Sequence, residues 1–556
     1  MNDNFFCDRR AVGLRICRLF MLMVVCFSAP AMSQQNGYFI GFTDKKGTAG
    51  EINHPESYLS QQAIVRRMVQ GIAIDSSDLP VSSVYINELK GYNLTVAHTS
   101  KWLNGAIVMC NDASVISELS QLPFVKMVEM TKGYASASLA KQKQETIETM
   151  QTKSMNLTDY GDALAQISTV NGLALHEKGY RGAGKLIAVI DAGFYHANSL
   201  PLTSQLFDNG KIMGQYDFVN PAGSGDELFE QYQHGMHVLS IIGGNNNGSY
   251  LGTAPDADFW LMRTEDSGSE FPIEADYWAC AAEMADSAGV DIINTSLGYS
   301  TFDNSSFSLT YSQLDGTSRI STAASMAVQK GMVVVVSAGN EGNRPWHYIL
   351  TPSDARDVLT VGAMAADSTL AAFSSVGPTA DGRIKPDVVA MGHRCAIQGI
   401  TGTVVFGSGT SYAAPVVTGL IACLWQALPD YTASEIIDLV KQSANGYSAP
   451  NASWGYGIPD FGKALQMASH EISTSANSWH LAVNPVHTYL VAENKNVESD
   501  AVWAVALFDI FGQELYSGTN AGPVYVNDQV GKYPAGIYLL QLKGAEGSQV
   551  IKFVKQ

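Results

Sequence analysis

Between about residues 164 and 467 the chain alternates short, almost uninterrupted apolar runs with longer stretches of helical periodicity. Residues 186–190, Asp291-Ile292-Ile293-Asn294 and residues 333–336 are the clearest apolar runs. A strand wetted on one face alternates polar and apolar residues; these runs do not, so both of their faces must be covered. Helices predicted over 274–288 and 317–330 supply that cover. The pattern predicts α/β architecture with a doubly wound parallel sheet.

At 556 residues the chain is too long for one core, because domains run to roughly 100–200 residues. On both sides of the alternating region the character changes. Upstream, residues 38–42, 92–96, 106–109 and 125–130 read as strands, and 55–71 and 113–121 as helical, which predicts a small α+β unit. Residues 135–154 are rich in Ala, Ser, Gln, Thr and Lys and read as a solvated linker or mobile helix open to nicking. Downstream, residues 502–508, 537–542 and 550–554 read as short strands. The turn signals Asn484-Pro485, Phe511-Gly512 and Pro534-Ala535-Gly536 accompany them, which predicts a small antiparallel β-sandwich. The first 33 residues have the form of an export signal. Arg9, Arg10, Arg15 and Arg18 precede an apolar run at 19–27, and Ala31-Met32-Ser33 offers small residues for cleavage. A single membrane anchor is the alternative. The apolar run 413–428 is too short to span a bilayer, holds Pro415 and Thr418, and reads as a buried helix.

A net charge of −18 argues against a nucleic-acid partner, since phosphate binding needs clustered Lys and Arg. Beyond the signal, Cys110, Cys280, Cys395 and Cys423 remain without zinc spacing; Cys280 and Cys423 lie in apolar helical stretches and read as buried thiols. Gly182-Ala183-Gly184-Lys185 is not a phosphate loop: its glycines precede the strand, and Leu186 stands where Ser or Thr is needed.

Four short words carry the chemistry: Val189-Ile190-Asp191-Ala192-Gly193, His234-Gly235-Met236-His237-Val238, Ser337-Ala338-Gly339-Asn340 and Gly409-Thr410-Ser411-Tyr412-Ala413-Ala414-Pro415. Singly, each has a structural explanation: Asp191 as a turn or helix cap, Ser411 as an N-cap, Asn340 as a turn residue. Jointly they supply a nucleophile, a base, an orienter of the base and a donor for an oxyanion, in the chain order Asp, His, Ser. His234 and His237 lack the intervening Glu of a zinc motif, so no metal site is expected there, and His237 reads as a hydrogen-bonded structural residue.

On these words, residues 164–467 resemble the catalytic domain of the subtilisin-like serine proteases, the subtilases. The serine word matches G-T-S-x-A-x-P in full; Met236 replaces the Thr of H-G-T-H-V, and Ala192 stands where Ser or Thr is usual. Gly252-Thr253-Ala254-Pro255 and residues 385–390 match further signposts. The resemblance implies Asp191, His234 and Ser411 as catalytic residues and Asn340 in the oxyanion hole. It also implies Ser296, Leu297 and Gly298 as an edge strand pairing with extended protein or peptide substrates, and Ala338 and Gly339 as a wall of the specificity pocket, with residues 346–350 shaping an apolar base. It requires no cofactor for catalysis; structural calcium is compatible with it, with Phe302-Asp303-Asn304-Ser305 and Asp315 as candidates.

Residues 102–106 and 122–129 resemble the inhibitory propeptides of the same family. Phe508-Asp509-Ile510-Phe511-Gly512-Gln513, residues 536–540 and the terminal 552–556 resemble a type IX secretion sorting domain, whose implied partner is an outer-membrane secretion machinery. A generic surface-binding β-domain is the alternative. The expected organisation is a signal peptide (1–33), an inhibitor-like α+β propeptide (34–132), a linker with the maturation site (133–160), a subtilisin-type catalytic domain (161–470) and a C-terminal β-sandwich (478–556). The expected product is a secreted serine endopeptidase made as a precursor; the rival is a catalytically silent subtilase-fold adhesin, which should have lost a reacting residue.

Overall fold

Seven strands meet in one sheet: β1 (Leu186–Asp191), β2 (Ile212–Asp217), β3 (Asp258–Arg263), β4 (Ile292–Thr295), β5 (Val333–Ser337), β6 (Leu359–Met364) and β7 (Val388–Met391). The structure is a computed structural model describing residues 35–133, 146–148, 160–223, 225–230, 232–246, 248–474, 479–481, 486–494, 500–509, 512–544 and 547–555. The strands lie in the order β7-β6-β5-β4-β1-β3-β2, and every pairing among them is parallel. The chain lays β2 and β3 on one side of β1, then crosses to build β4–β7 on the other. The winding reverses at β1, so the carboxyl ends of β1 and β4 flank the crevice where such sheets place their reactive groups.

Four helices matter to the site: α1 (His234–Gly243), α2 (Pro272–Ala288), α3 (Arg319–Gln329) and α4 (Thr410–Ala427). The side-chain alternation of β1 divides the core in two. Ile187 and Val189 pack with Val238 and Leu239 of α1 and Val416 and Leu420 of α4. Ala188 and Ile190 pack with Trp278 and Ala281 of α2 and Ala323 of α3. Each large aliphatic side chain fully buried this way contributes roughly 1.5–3 kcal/mol. α2 starts two residues before the predicted 274 because Pro272 suits a first helical turn, and it stops at Gly289, whose φ of 91° few other residues adopt.

The N-terminal unit is a four-stranded antiparallel sheet of Gly37–Phe42, Thr95–Ser100, Gly105–Met109 and Val125–Lys132. Phe39, Trp102 and Ile107 join the cluster formed with α2 and α3, so this sheet lies against those helices. The strand predicted at 92–96 is displaced to Thr95–Ser100. The helix Ser83–Leu89 ends just before it, and residues 90–94 are spent on the turn. The stretch 55–71 holds a 3-10 turn (Pro55–Ser57) and a helix, Gln61–Val69, capped by Ser60.

Of the segment expected as a linker, only residues 133, 146–148 and 160 are described. Thr146–Glu148 is a strand, antiparallel to Val404–Ser408, with Ser408 opposite Thr146. The β-branched pair Thr146-Ile147 suits an edge that otherwise leaves backbone groups unpaired.

At the C-terminus, His480–Leu481, Leu490–Glu493 and Val524–Asn527 form one antiparallel sheet, and Val502–Asp509, Glu514–Ala521, Gly536–Gly544 and Gly547–Lys555 another. Trp479, Leu490, Tyr525, Leu507, Leu540 and Phe553 share one core between them, as in a sandwich. The predicted signal segment and the Asn484-Pro485 turn lie outside the described residues. Among the described residues no helix is long and apolar enough to cross a membrane. Cys110, Cys280, Cys395 and Cys423 are free and buried, and burial pushes the thiols of Cys280, Cys395 and Cys423 up from their ordinary range.

Candidate active site

Asp191 is the last residue of β1, and His234 is the first of α1. The two are brought together by backbone: the Gly235 N–H donates to the Gly193 carbonyl at 2.9 Å. Gly235 is needed for that approach. A Cβ there would stand 2.6 Å from the Gly193 oxygen, 2.9 Å from Phe194 Cε1 and 3.0 Å from Asp191 Cβ. His234 Nδ1 lies 2.7 Å from Asp191 Oδ1. An ionised carboxylate can only accept, so Nδ1 carries the proton and Nε2 is left as the basic nitrogen. Asp191 is buried, and its Oδ1 also accepts from the Ala192 N–H at 2.7 Å. Its Oδ2 is buried and has no hydrogen-bond partner among the described residues; Ala192 offers no hydroxyl to it. Met236 is fully buried in the core beneath α1, away from the charge chemistry.

Gly235→Ala is therefore expected to move the imidazole away from Asp191 and lower peptide-bond hydrolysis at least about 100-fold, the scale of an ångström-sized misplacement. Turnover and thermal unfolding measured side by side test this; unchanged turnover would mean that the backbone yields instead.

Ser411 stands in the first turn of α4, where backbone N–H groups lack helical partners and the helix dipole favours negative charge. Pro415 lies inside α4, beyond its first turn. A proline withholds the N–H that would bond the carbonyl four residues back. That carbonyl belongs to Ser411, and Ser296 Oγ donates to it at 2.9 Å. In return, Ser411 Oγ donates to the Ser296 carbonyl at 3.2 Å. Asn294 Nδ2 donates to Ser296 Oγ at 3.0 Å, and Thr418 Oγ1 of α4 donates to Asn294 Oδ1 at 2.8 Å, so α4 is tied to the end of β4. Tyr412, beside the serine, has its ring centroid 6.0 Å from that of His234, and its hydroxyl lies 3.3 Å from Nδ1 of the buried His237.

Asn340 follows β5. Its Oδ1 accepts from Thr410 N at 2.9 Å and from Thr410 Oγ1 at 3.0 Å, which turns the amide nitrogen to the other side, beside Gly409. Thr410 Oγ1 also accepts from the Gly339 N–H at 3.1 Å. Thr410 thus positions the Asn340 carboxamide; sequence reading passed over it as a spacer, although it lies inside the serine word.

Ser296, Leu297 and Gly298, the run expected to pair with a substrate, follow β4 directly. β4 stops at Thr295, and these residues run on past the sheet, where no sheet neighbour among the described residues extends the ladder; Tyr299 then bridges to Thr351. Ala338 and Gly339 accept at their carbonyls from Leu350 N (3.1 Å) and Ser375 N (2.9 Å). Ala338 is buried with Leu314 and Ile349, with Trp346 and Tyr348 against them. Gly339 has φ 109°, and a Cβ on it would come within 2.6 Å of Leu350 Cγ. Asp303 and Asp315, named for calcium, each accept a backbone hydrogen bond: Asp303 Oδ2 from Glu270 N at 3.1 Å, and Asp315 Oδ1 from Thr317 N at 3.0 Å. Carboxylate oxygens of Glu265, Glu270 and Glu274 instead lie within 4.8 Å of one another. The Tyr299 hydroxyl donates to Glu265, and burial followed by that carboxylate pushes the tyrosine's pKa well up.

A doubly wound parallel sheet with Asp, His and Ser words gathered at its carboxyl edge defines a subtilisin-like hydrolase domain. Residues 182–457 match the subtilase family, peptidase S8, and residues 37–149 match the peptidase S8 propeptide domain of Bacteroidota. The chain carries a peptidase S8 subtilase domain behind an S8 propeptide domain, and it is a homologue of the subtilisin-like serine proteases. It is 28% identical over 359 residues to a thermostable alkaline protease of Halalkalibacterium halodurans, covering 64% of this chain and 86% of that one. It is 30% identical over 293 residues to the serine protease AprX of Bacillus subtilis, covering 48% and 62%. It is 29% identical over 310 residues to subtilisin E of Bacillus subtilis, covering 54% and 70%.

Proposed function

We propose that this chain is an exported serine endopeptidase, made as a precursor and cut to its mature form. Ser411 Oγ attacks the scissile carbonyl while His234 Nε2 takes its proton and later returns it to the leaving amine. Asp191 fixes the tautomer and stabilises the imidazolium. Asn340 Nδ2 and the Ser411 N–H receive the oxyanion, and water then hydrolyses the acyl-enzyme. The observation that carries this reading is the 2.7 Å contact of His234 Nδ1 with Asp191 Oδ1 at the sheet edge from which Ser411 is reached through Ser296. Every step uses groups of the chain itself, so catalysis needs no cofactor.

The run from Ser296 to Gly298, just past the end of β4, suits main-chain pairing with a peptide, and the apolar surroundings of Ala338 favour an apolar side chain beside the cut bond. The N-terminal unit acts as the chain's own inhibitor until removed. The Arg-rich, apolar start and the sorting-like C-terminal sandwich support passage across an inner and then an outer membrane by a type IX route. The acidic charge balance leaves nucleic acid out of the partners. The silent-adhesin alternative requires the loss of a reacting group, and Asp191, His234 and Ser411 are all in place.

The test is expression of the full precursor beside its Ser411→Ala form, each treated with a fluorophosphonate serine probe. Labelling and shortening of the chain are expected in the parent alone; equal labelling of both would remove Ser411 from the role given to it.

A further inference from the structure

The segment between the first and second strands of the propeptide sheet carries a cluster of charges that the catalytic reading does not use. Arg66 and Arg67, on the helix Gln61–Val69, are almost wholly buried. Both reach Asp286, near the end of α2: Arg66 Nη2 at 2.5 Å from Oδ1, Arg67 Nη2 at 2.7 Å from Oδ1 and 2.8 Å from Oδ2. Arg66 also donates to the Val290 carbonyl and, through Nε at 3.2 Å, to that of Lys330. The pairing then reverses in sign. Lys330, after α3, donates to Asp78 at 3.0 Å and Asp75 at 3.2 Å on the propeptide side. Lys101 Nζ joins Asp286 Oδ2 at 3.2 Å. Gln70 completes the contact, donating to the Gly331 carbonyl at 2.8 Å and accepting from Ala433 N at 3.0 Å.

Two features set this cluster apart from the cleft. Its position is the first: α2 has 17 residues and so runs about 25 Å, from the carboxyl edge of the sheet to the amino edge, and Asp286 stands at the far end. Its burial is the second: Asp286 and Asp78 are fully buried and Arg67 is 1% exposed. Burial alone would push the Asp286 carboxyl up, but Arg66, Lys101 and Arg67 together outweigh it and hold it below its ordinary range. Charges this well buried are screened little by salt, and removing one partner strands the other without water or counter-charge.

We propose that the end of α2 and the turn after α3 form a second docking site for the propeptide, remote from the cleft, which keeps the cut propeptide bound and admits only a propeptide with this charge order. Specificity follows from the mixed signs. A propeptide lacking Arg66 and Arg67 would leave the buried Asp286 with Lys101 alone of its three cations, and one lacking Asp75 and Asp78 would bury Lys330 without its carboxylates. The inhibitory role of the propeptide is taken from the function proposed above.

The experiment follows the full chain through maturation by size exclusion and records when peptidase activity appears. The cut propeptide of the parent is expected to co-elute with the mature part. In Arg67→Ala or Asp286→Asn it should separate, with release at least tenfold faster, and the exchanged pair Arg67→Asp with Asp286→Arg should release more slowly than either exchange alone. Release at the parent's rate in the single variants would overturn the proposal. A second measurement needs neither cutting nor a correct assignment of the nucleophile. In the uncut Ser411→Ala chain, Arg67→Ala should raise amide hydrogen exchange over residues 59–72 while β1 and β4 stay protected. Unchanged protection at 59–72 would overturn the docking site whatever becomes of Ser411.

Discussion

A chain carrying His234→Ala is expected to cut its own precursor about 10⁶-fold more slowly than the parent, and adding Ser411→Ala should cost nothing further. The hydroxyl is a weak nucleophile until a base takes its proton, so the two residues act as one device and their losses do not add. What activity remains comes from the oxyanion donors and from substrate positioning, and these are untouched in both variants. The measurement is the rate at which the mature form appears in each single and in the double variant. A double variant much slower than either single one would show that the hydroxyl works without the imidazole, and the mechanism proposed for this site would fail.

Asp191→Asn is expected to lower turnover roughly 10⁴-fold with little change in folding. The reason lies in the two bonds that Oδ1 accepts, one from Ala192 N and one from His234 Nδ1. An asparagine with its oxygen at the Oδ1 position keeps both bonds but brings no charge to stabilise the imidazolium and buries its amide nitrogen without a partner. With its amide nitrogen there instead, it donates to Nδ1, gives up the bond from the Ala192 N–H and moves the imidazole proton to Nε2, where it blocks the base. Steady-state turnover beside a thermal melt separates this from simple destabilisation. Turnover within a few-fold of the parent would show that the carboxylate does not set the tautomer.

The middle of the central sheet was legible because β1, β4 and β5 are buried on both faces and say so residue by residue, as in the valines of β5, whereas the half-exposed edge strand β2 carries no such run. The ends of β1 and α1 were legible because one short word each contains both the reacting residue and the glycine that lets it approach. Other features were hidden for physical reasons. Ser296–Gly298 has no strand neighbour among the described residues past Thr295, because the partner expected for it is a bound peptide and not part of the chain. Thr146–Glu148 looked solvated because its partner lies more than two hundred residues on, at Val404–Ser408. The stretch around Arg66 and Arg67 read only as helical, and the burial of its charges was hidden because Asp286, which neutralises them, is also more than two hundred residues away in sequence. Composition reads polarity, not pairing.

The crossed bonds between Ser296 and Ser411 have one more consequence. Nucleophilic attack tolerates little error in distance or angle, and here the segment proposed to align a peptide and the residue proposed to attack it are moored to each other at two points, one of them opened by Pro415. Any breathing of the cleft therefore carries rail and blade together, so their mutual alignment survives motions that would blur a site assembled from independent loops.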